Sequence, residues 1–399
     1  SVNLGELCYI HPRIEAPLLP AEVVGFRENR VLLMPLGEMQ GIGPGSEVVS
    51  SRNLLRVKVG QALLGRILDG LGNPIDGKGP ILAETEYPIQ NPPPAPLSRR
   101  RICEAVSVGI RAVDGLMTLG KGQRMAILAG SGVGKSTMMG MIARNTSADI
   151  NVIALIGERG REVLDFIERD LGEAGLKKSV VVVSTSDQPA LLRIKGANTA
   201  TAVAEYFRDQ GLDVMLMMDS LTRVAMAQRE VGLTIGEPPA TRGYPPSVFA
   251  MMPKLLERSG TGDRGSITGL YAVLVDGDDM NEPVADNVRS IVDGHVVLSR
   301  RLAAQNHYPP IDILSSLSRV MNEVVDAEHL KAAQRLRSLQ ATFQEAEDLI
   351  NIGAYSAGSN PEIDRAIERN PGIRDFLRQG VMEKVDFADT VARMKRLVQ

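Results

Sequence analysis

One stretch constrains the folding of this chain more than any other: Ala129 to Ser136, which reads A-G-S-G-V-G-K-S. It fits the phosphate-binding pattern G-x-x-x-x-G-K-[ST], with Ala129 in place of the first glycine. The run before it, Arg124 to Ala129, is short and apolar, as a buried strand should be. The run after it carries Met138, Met141 and Ile142 at helical spacing. Strand, glycine-rich turn and helix together aim main-chain amides and a helix N-terminus at an anion. Gly130, Gly132 and Gly134 let the backbone curl, because glycine tolerates positive φ. Lys135 is expected to bridge the outer phosphates of a triphosphate, and the Ser136 hydroxyl to ligate Mg²⁺. Ser131, Val133 and Thr137 complete the loop. An accidental glycine-rich turn would have no reason to carry both flanks.

With 399 residues, the chain is long enough for several domains. Its formal net charge of −3 argues against a dedicated nucleic-acid binder, which usually shows a basic excess. Aromatics make up only 4% and Trp is absent, so the cores must be aliphatic and Met-rich. Cys8 and Cys103 stand in no metal-ligand spacing and suit a reducing cytoplasm. No apolar run approaches a membrane span, and the first residues lack a secretion signal.

Residues 1 to about 80 hold short apolar runs. Val23–Phe26 and Val31–Met34 flank the polar Arg27–Arg30, which predicts a hairpin. Further runs at Glu47–Val49 and Leu55–Val59 predict a small barrel. Gly65–Gly77 is dense in turn formers, and Asn91–Pro96 is too proline-rich for helix or central strand. From 105 to 325 strands and helices alternate. Strands are expected at Met125–Ala129, Val152–Ile156, Val180–Ser184, Val214–Met218 and Ser266–Val275. Such alternation implies a mostly parallel sheet covered on both faces, with its ligand at the carboxyl ends of the strands. After 326 the pattern is helical, with Leu336, Leu339, Phe343, Ala346 and Ile350 forming one apolar stripe. The expected units are therefore a β-barrel (1–86), a linker (87–104), an α/β domain (105–325) and a helical domain (326–399).

Several residues could carry chemistry. Asp219 ends the apolar run Val214–Met218, the usual place for a carboxylate that helps hold Mg²⁺. Ile156–Glu162 ends another strand with Glu158, Arg159, Arg161 and Glu162. Glu158 could deprotonate an attacking water and Arg159 could reach the terminal phosphate. The alternative is a solvated helix cap with Glu162 in the first turn. Arg319 reads as a surface residue or as a finger for a neighbouring subunit. Tyr308 reads as a base-stacking ring or as packing beside a turn. His295 and His307 are more in keeping with structural roles.

Over essentially its whole length the chain resembles the catalytic subunits of rotary ATPases and their secretion relatives. The resemblance rests on Gly65–Gly70, Gly109–Asp114, the phosphate loop and Gly157–Glu162. It is most similar to the flagellar protein-export ATPases, through Asp219–Arg223, Ala225–Glu230 and Gly236–Phe249. ATPases of virulence type III secretion are the nearest alternative. The resemblance implies an α/β fold: a RecA-like P-loop core with a small N-terminal β-barrel and a C-terminal helical domain, assembled as a homohexamer. It implies that Lys135 and Ser136 take phosphate and Mg²⁺, that Asp219 is the second carboxylate, and that Glu162 contributes to Mg²⁺ partly through water. It also implies Glu158 as catalytic base, Arg159 and Arg223 near the terminal phosphate, Arg319 as the trans finger and Tyr308 as the adenine-stacking ring. A second adenine contact is expected near Phe376–Gly380.

Implied partners are a central stalk coiled-coil protein, a stator-like regulator, an export gate at the membrane, and export chaperones and substrates. The regulator's binding segment is expected to be missing here, since the chain begins inside the barrel. No nucleic acid is expected. The expected location is cytoplasmic, peripheral at the inner face of the bacterial membrane. The resemblance implies that the acidic run Asp276–Pro283 faces the ring's central hole, where its carboxylates either meet a basic stalk or form a solvated acidic turn.

Overall fold

A computed structural model describes residues 2–399 apart from 276 and 278. Its centre is a nine-stranded sheet whose strands read as nearly unbroken apolar runs because both faces are covered. Along Arg124–Ala129, Met125, Ile127 and Ala129 enter one core while Ala126 and Leu128 enter the other. Asp213–Asp219 divides in the same way, with Met215 and Met217 on one side and Leu216 and Met218 on the other. Side-chain alternation in an extended chain is the cause.

From one edge the order is Ile311–Ser318, Gly294–Leu298, Arg124–Ala129, Ser266–Leu274, Asp213–Asp219, Ile150–Ile156, Ser179–Ser184 and Ile67–Asp69. These eight are parallel except Ile311–Ser318, which runs antiparallel along its neighbour; the ninth strand, Gly260–Thr261, pairs antiparallel with Ser266–Leu274 off this path. Each expected strand of the α/β region forms, within one or two residues at its ends. The register brings the carboxyl ends level: Ala129 lies opposite Leu274, and Leu155 opposite Asp219. Ala190–Asp209, Leu221–Thr234 and Pro246–Leu256 cover one face, and Lys135–Asn145 the other.

The N-terminal residues form a four-stranded antiparallel sheet. The expected hairpin is present, Leu19–Arg27 turning into Arg30–Pro35. The chain then departs from the sequence reading. Arg56–Val59 pairs with Thr85–Pro88 as a separate ribbon, and Ile67–Asp69 joins the edge of the central sheet beside Ser179–Ser184. Val57, Val59, Leu63, Leu68 and Ile89 are buried in the same core as Ala197 and Phe207. Residues 55–86, read as the remainder of the barrel, and Ile89 of the expected linker thus pack as part of the central layer.

The C-terminal helices Ala327–Asn351, Pro361–Leu377 and Phe387–Val398 each start on a capping side chain, Asp326, Asn360 and Asp386. Of the expected stripe, Leu336, Leu339 and Ala346 are fully buried. Leu336, Phe376 and Met394 belong to the same apolar cluster as Ile127; Ala327–Asn351 packs against Ile311–Ser318, and the other two helices reach that core through Arg111–Leu116. A Cβ at Gly115 would lie 3.2 Å from the Phe376 ring, so a larger side chain there would have to push that ring aside by a few tenths of an ångström.

Within the acidic run, Asp276 and Asp278 lie outside the described residues. Asp279 pairs with Arg242 at 3.1 Å, and Glu282 accepts from the Ala285 amide at 2.9 Å to cap Pro283–Ile291. No helix of the described residues is long and apolar enough to cross a membrane.

Candidate active site

The phosphate loop leaves the strand at Ala129 and returns as the helix Lys135–Asn145. Gly132 and Gly134 take φ of +75° and +101°. Gly130 does not have positive φ, so only two of the three glycines are needed for the curl. Val133 points inward and is buried, which anchors the loop from below. The helix has no side-chain cap and no acidic residue in its first turn. Its first amides therefore lack protein acceptors, the condition for anion binding.

Three strand ends converge on this loop. Lys135, Glu158 and Asp219 form a cluster in which Lys135 Nζ bonds Asp219 Oδ1 and lies 3.6 Å from Glu158 Oε1. Burial works against the Lys135 charge, but Asp219 and Glu158 outweigh it and hold the ammonium above the ordinary lysine value. Burial, and then the Asp219 charge, push the Glu158 carboxyl up to about 7, with Lys135 opposing. Glu162, hydrogen-bonded by Glu158, is held below the usual carboxylate range.

Arg223 reaches the same cleft across Gly157, where a Cβ would sit 2.7 Å from Arg223 Cβ. Its Nε is buried without a partner, and Nη1 contacts only the Met226 sulfur at 4.0 Å. A buried guanidinium nitrogen with no acceptor fits a site made for an anion. The cleft measures about 570 Å³ and includes Ser131, Ser136, Thr137 and Arg159. One hydroxyl, one buried carboxylate and phosphate oxygens would form the hard-oxygen set that Mg²⁺ takes, so Ser136 and Asp219 fit that ion. Glu162 and Arg159 lie further out. They close a capping box on Gly160–Asp165, and the Arg159 side chain is 82% exposed. Sequence reasoning missed Ser186, two residues past Ser179–Ser184, and Leu274, the last residue of Ser266–Leu274, both of which line the cleft.

Beside Gly134 a second cleft of about 280 Å³ opens. Its lining is apolar: Met138, Met141, Tyr308, Pro309 and Val381, with Gln379. Tyr308 is half exposed here, and its carbonyl accepts from the Gln379 amide at 2.9 Å. The expected second contact near Phe376–Gly380 was left unplaced by the sequence. The structure brings Gln379, from that stretch, and Val381, just beyond it, into the cleft beside Tyr308. His307 is buried behind Tyr308; burial first, then Arg378 and Arg374, hold it down at about 4.

Residues 109–318 match the nucleotide-binding domain of the ATP synthase alpha/beta family, and residues 2–52 match its beta-barrel domain. The chain belongs to this family. Residues 325–396 match the T3SS EscN ATPase C-terminal domain, which places it among the secretion members. It is 55% identical over 398 residues to the flagellum-specific ATP synthase of Bacillus subtilis, covering 99% of this chain and 90% of that relative. It is 56% identical to the type 3 secretion system ATPase of Xanthomonas euvesicatoria, covering 95% of this chain and 86% of that one. The assembled ATPase EscN of enteropathogenic E. coli, in complex with its central stalk EscO, superposes with a TM-score of 0.93 at 46% identity. That match covers 100% of this chain and 96% of EscN. Like these family members, the protein is an ATPase.

Arg319 lies far from this family site within one chain. Its amide donates to Asp293, and Asp293 in turn donates to the Arg124 carbonyl, at the amino end of the strand that feeds the loop. Five residues of strand, roughly 17 Å, separate that point from Ala129. Arg319 is exposed on the sheet's edge side, its Nη1 donating to Val292 O at 3.2 Å.

Proposed function

We propose that this ATPase works as a homohexameric ring, with each site completed by the neighbouring copy, and that its hydrolysis assists export of flagellar proteins through a type III secretion apparatus. The observation that carries the ring is the position of Arg319: solvent-facing, and too remote to serve its own phosphate loop. One sequence holds both the Glu158 and the Arg319 motifs, as a ring of identical subunits requires. The flagellar reading draws on the Bacillus relative. The Xanthomonas relative, equally similar, supports virulence secretion as the second reading.

In this account Lys135 and the loop amides grip the β- and γ-phosphates, and Arg223 meets the terminal phosphate with its free Nε. Mg²⁺, held by Ser136 and Asp219, would supply charge neutralisation. Glu158 accepts the proton of the attacking water as the water oxygen bonds to phosphorus and ADP departs. Tyr308, with Gln379 and Val381, flanks the base. Arg319 of the next copy would stabilise the charge that develops, a contribution worth about 10³–10⁵ in rate. Arg159 and Glu162 line the outer part of the cleft, where Arg159 would meet the terminal phosphate.

A central stalk in the ring's hole is proposed by analogy with EscN and EscO. A stator-like regulator, an export gate and export chaperones are proposed as further partners, with a location at the cytoplasmic face of the membrane. The experiment is Glu158→Gln in the full chain: hydrolysis should be lost while MgATP binding persists. Turnover at the unsubstituted rate would place the base elsewhere.

A further inference from the structure

The Gly109–Asp114 motif has no part in the chemistry above, yet its arginine is one of the most heavily bonded residues in the molecule. Arg111 is 5% exposed. Its Nε donates to Phe376 O at 2.9 Å, its Nη2 to Arg378 O, and its Nη1 to the Glu383 carboxylate. Phe376 belongs to the last turn of Pro361–Leu377, where carbonyls have no helical partner. Between Arg378 and Glu383 run Gln379 and Val381, which wall the apolar cleft beside Tyr308. One guanidinium therefore holds both ends of that wall.

The main chain of the motif doubles the attachment. The Arg111 amide donates to Gln379 Oε1 at 2.9 Å, and Gln379 Nε2 returns a bond to Gly109 O at 2.8 Å. Gly109 has φ +70°, and a Cβ there would lie 2.4 Å from Asn145 Cβ. The motif thus turns tightly against the far end of the phosphate-loop helix, whose Arg144 donates to Val381 O at 2.7 Å.

We propose that Arg111 is a positioning residue for the nucleotide base: it fixes the Gln379–Val381 wall against the phosphate-loop helix, so that the base and the phosphates are gripped by one rigid unit. This rests on the reading of the Tyr308 cleft as the base site. A planar fork is needed because three acceptors lie in different directions, which a lysine ammonium on a flexible stem cannot match.

The test measures equilibrium binding of MgATP and of inorganic tripolyphosphate to the full chain, with steady-state kinetics. In Arg111→Gln, ATP affinity should fall about tenfold and KM rise in step, while tripolyphosphate affinity and kcat stay within about twofold. Equal weakening of both ligands, or unchanged ATP affinity, overturns the proposal. Tyr308→Ala is measured alongside. If it leaves ATP affinity intact, the base-site reading itself fails, an outcome distinct from failure of Arg111 alone. Should Arg111→Gln not fold, Glu383→Gln carries the test, since that carboxylate is at the solvent side of the brace. ATP affinity should then fall severalfold with tripolyphosphate unchanged; unchanged ATP affinity contradicts the proposal.

Discussion

At the scale of residues, the site depends on two carboxylates sharing one ammonium. Glu158 is pushed to about 7 by burial and by Asp219, so in the free protein it holds a proton below that pH and can act as base only above it. The kcat/KM for ATP, which reports free-enzyme groups, should therefore rise with pH through about 7. An acid limb at the ordinary glutamate value of 4.5 would contradict this. Removing Lys135 takes away the cation paired with both carboxylates. Lys135→Ala should lower kcat by at least about 10²–10³, measured by phosphate release, with hydrolysis close to background. Ser131 to Ser136, Glu158 and Asp219 were legible because each sits in or just after a continuous apolar strand. Gln379 and Val381 were not. Their loop lies more than two hundred residues downstream, and nothing local marks the side of it that faces the phosphate helix.

At the scale of elements, patterns with two-sided burial were easy to read and short ones were not. Val180–Ser184 and Val214–Met218 are long apolar runs with only one sensible partner, a neighbouring parallel strand. Ile67–Asp69 is three residues long, set among turn formers, and pairs with Val181 and Val183 far along the chain. Hydrophobic pattern gives a strand's faces but not its partner, so a barrel was the natural reading up to residue 86, whereas the strands from 55 onward pack on the central layer. That segment is held by a buried network. Arg258 pairs bidentately with Glu205 at 2.8 Å and also donates to Ile89 O and Asn198, while Asn91 donates to Glu205 at 2.7 Å. Both charged side chains are almost fully enclosed. Arg258→Ala leaves an uncompensated buried carboxylate and should cost about 3–5 kcal/mol in urea unfolding. A loss under 1 kcal/mol would show that the network is dispensable.

At the scale of the whole molecule, the α/β core, the N-terminal sheet and the helical C-terminal region followed from the sequence. The assembly is where sequence and single chain both stop, and the proposed role of Arg319 is what would connect them. If sites form only between copies, specific ATPase activity should rise cooperatively with protein concentration, and a linear dependence would speak for self-sufficient monomers. The most direct measurement mixes two inactive variants, Lys135→Ala and Arg319→Ala, at varied ratios, with co-assembly verified by light scattering. A junction between the intact Lys135 of one copy and the intact Arg319 of the other restores a complete site, so the mixture should hydrolyse ATP well above either variant alone. Co-assembled rings that stay as inactive as the separate variants at every ratio would contradict the account.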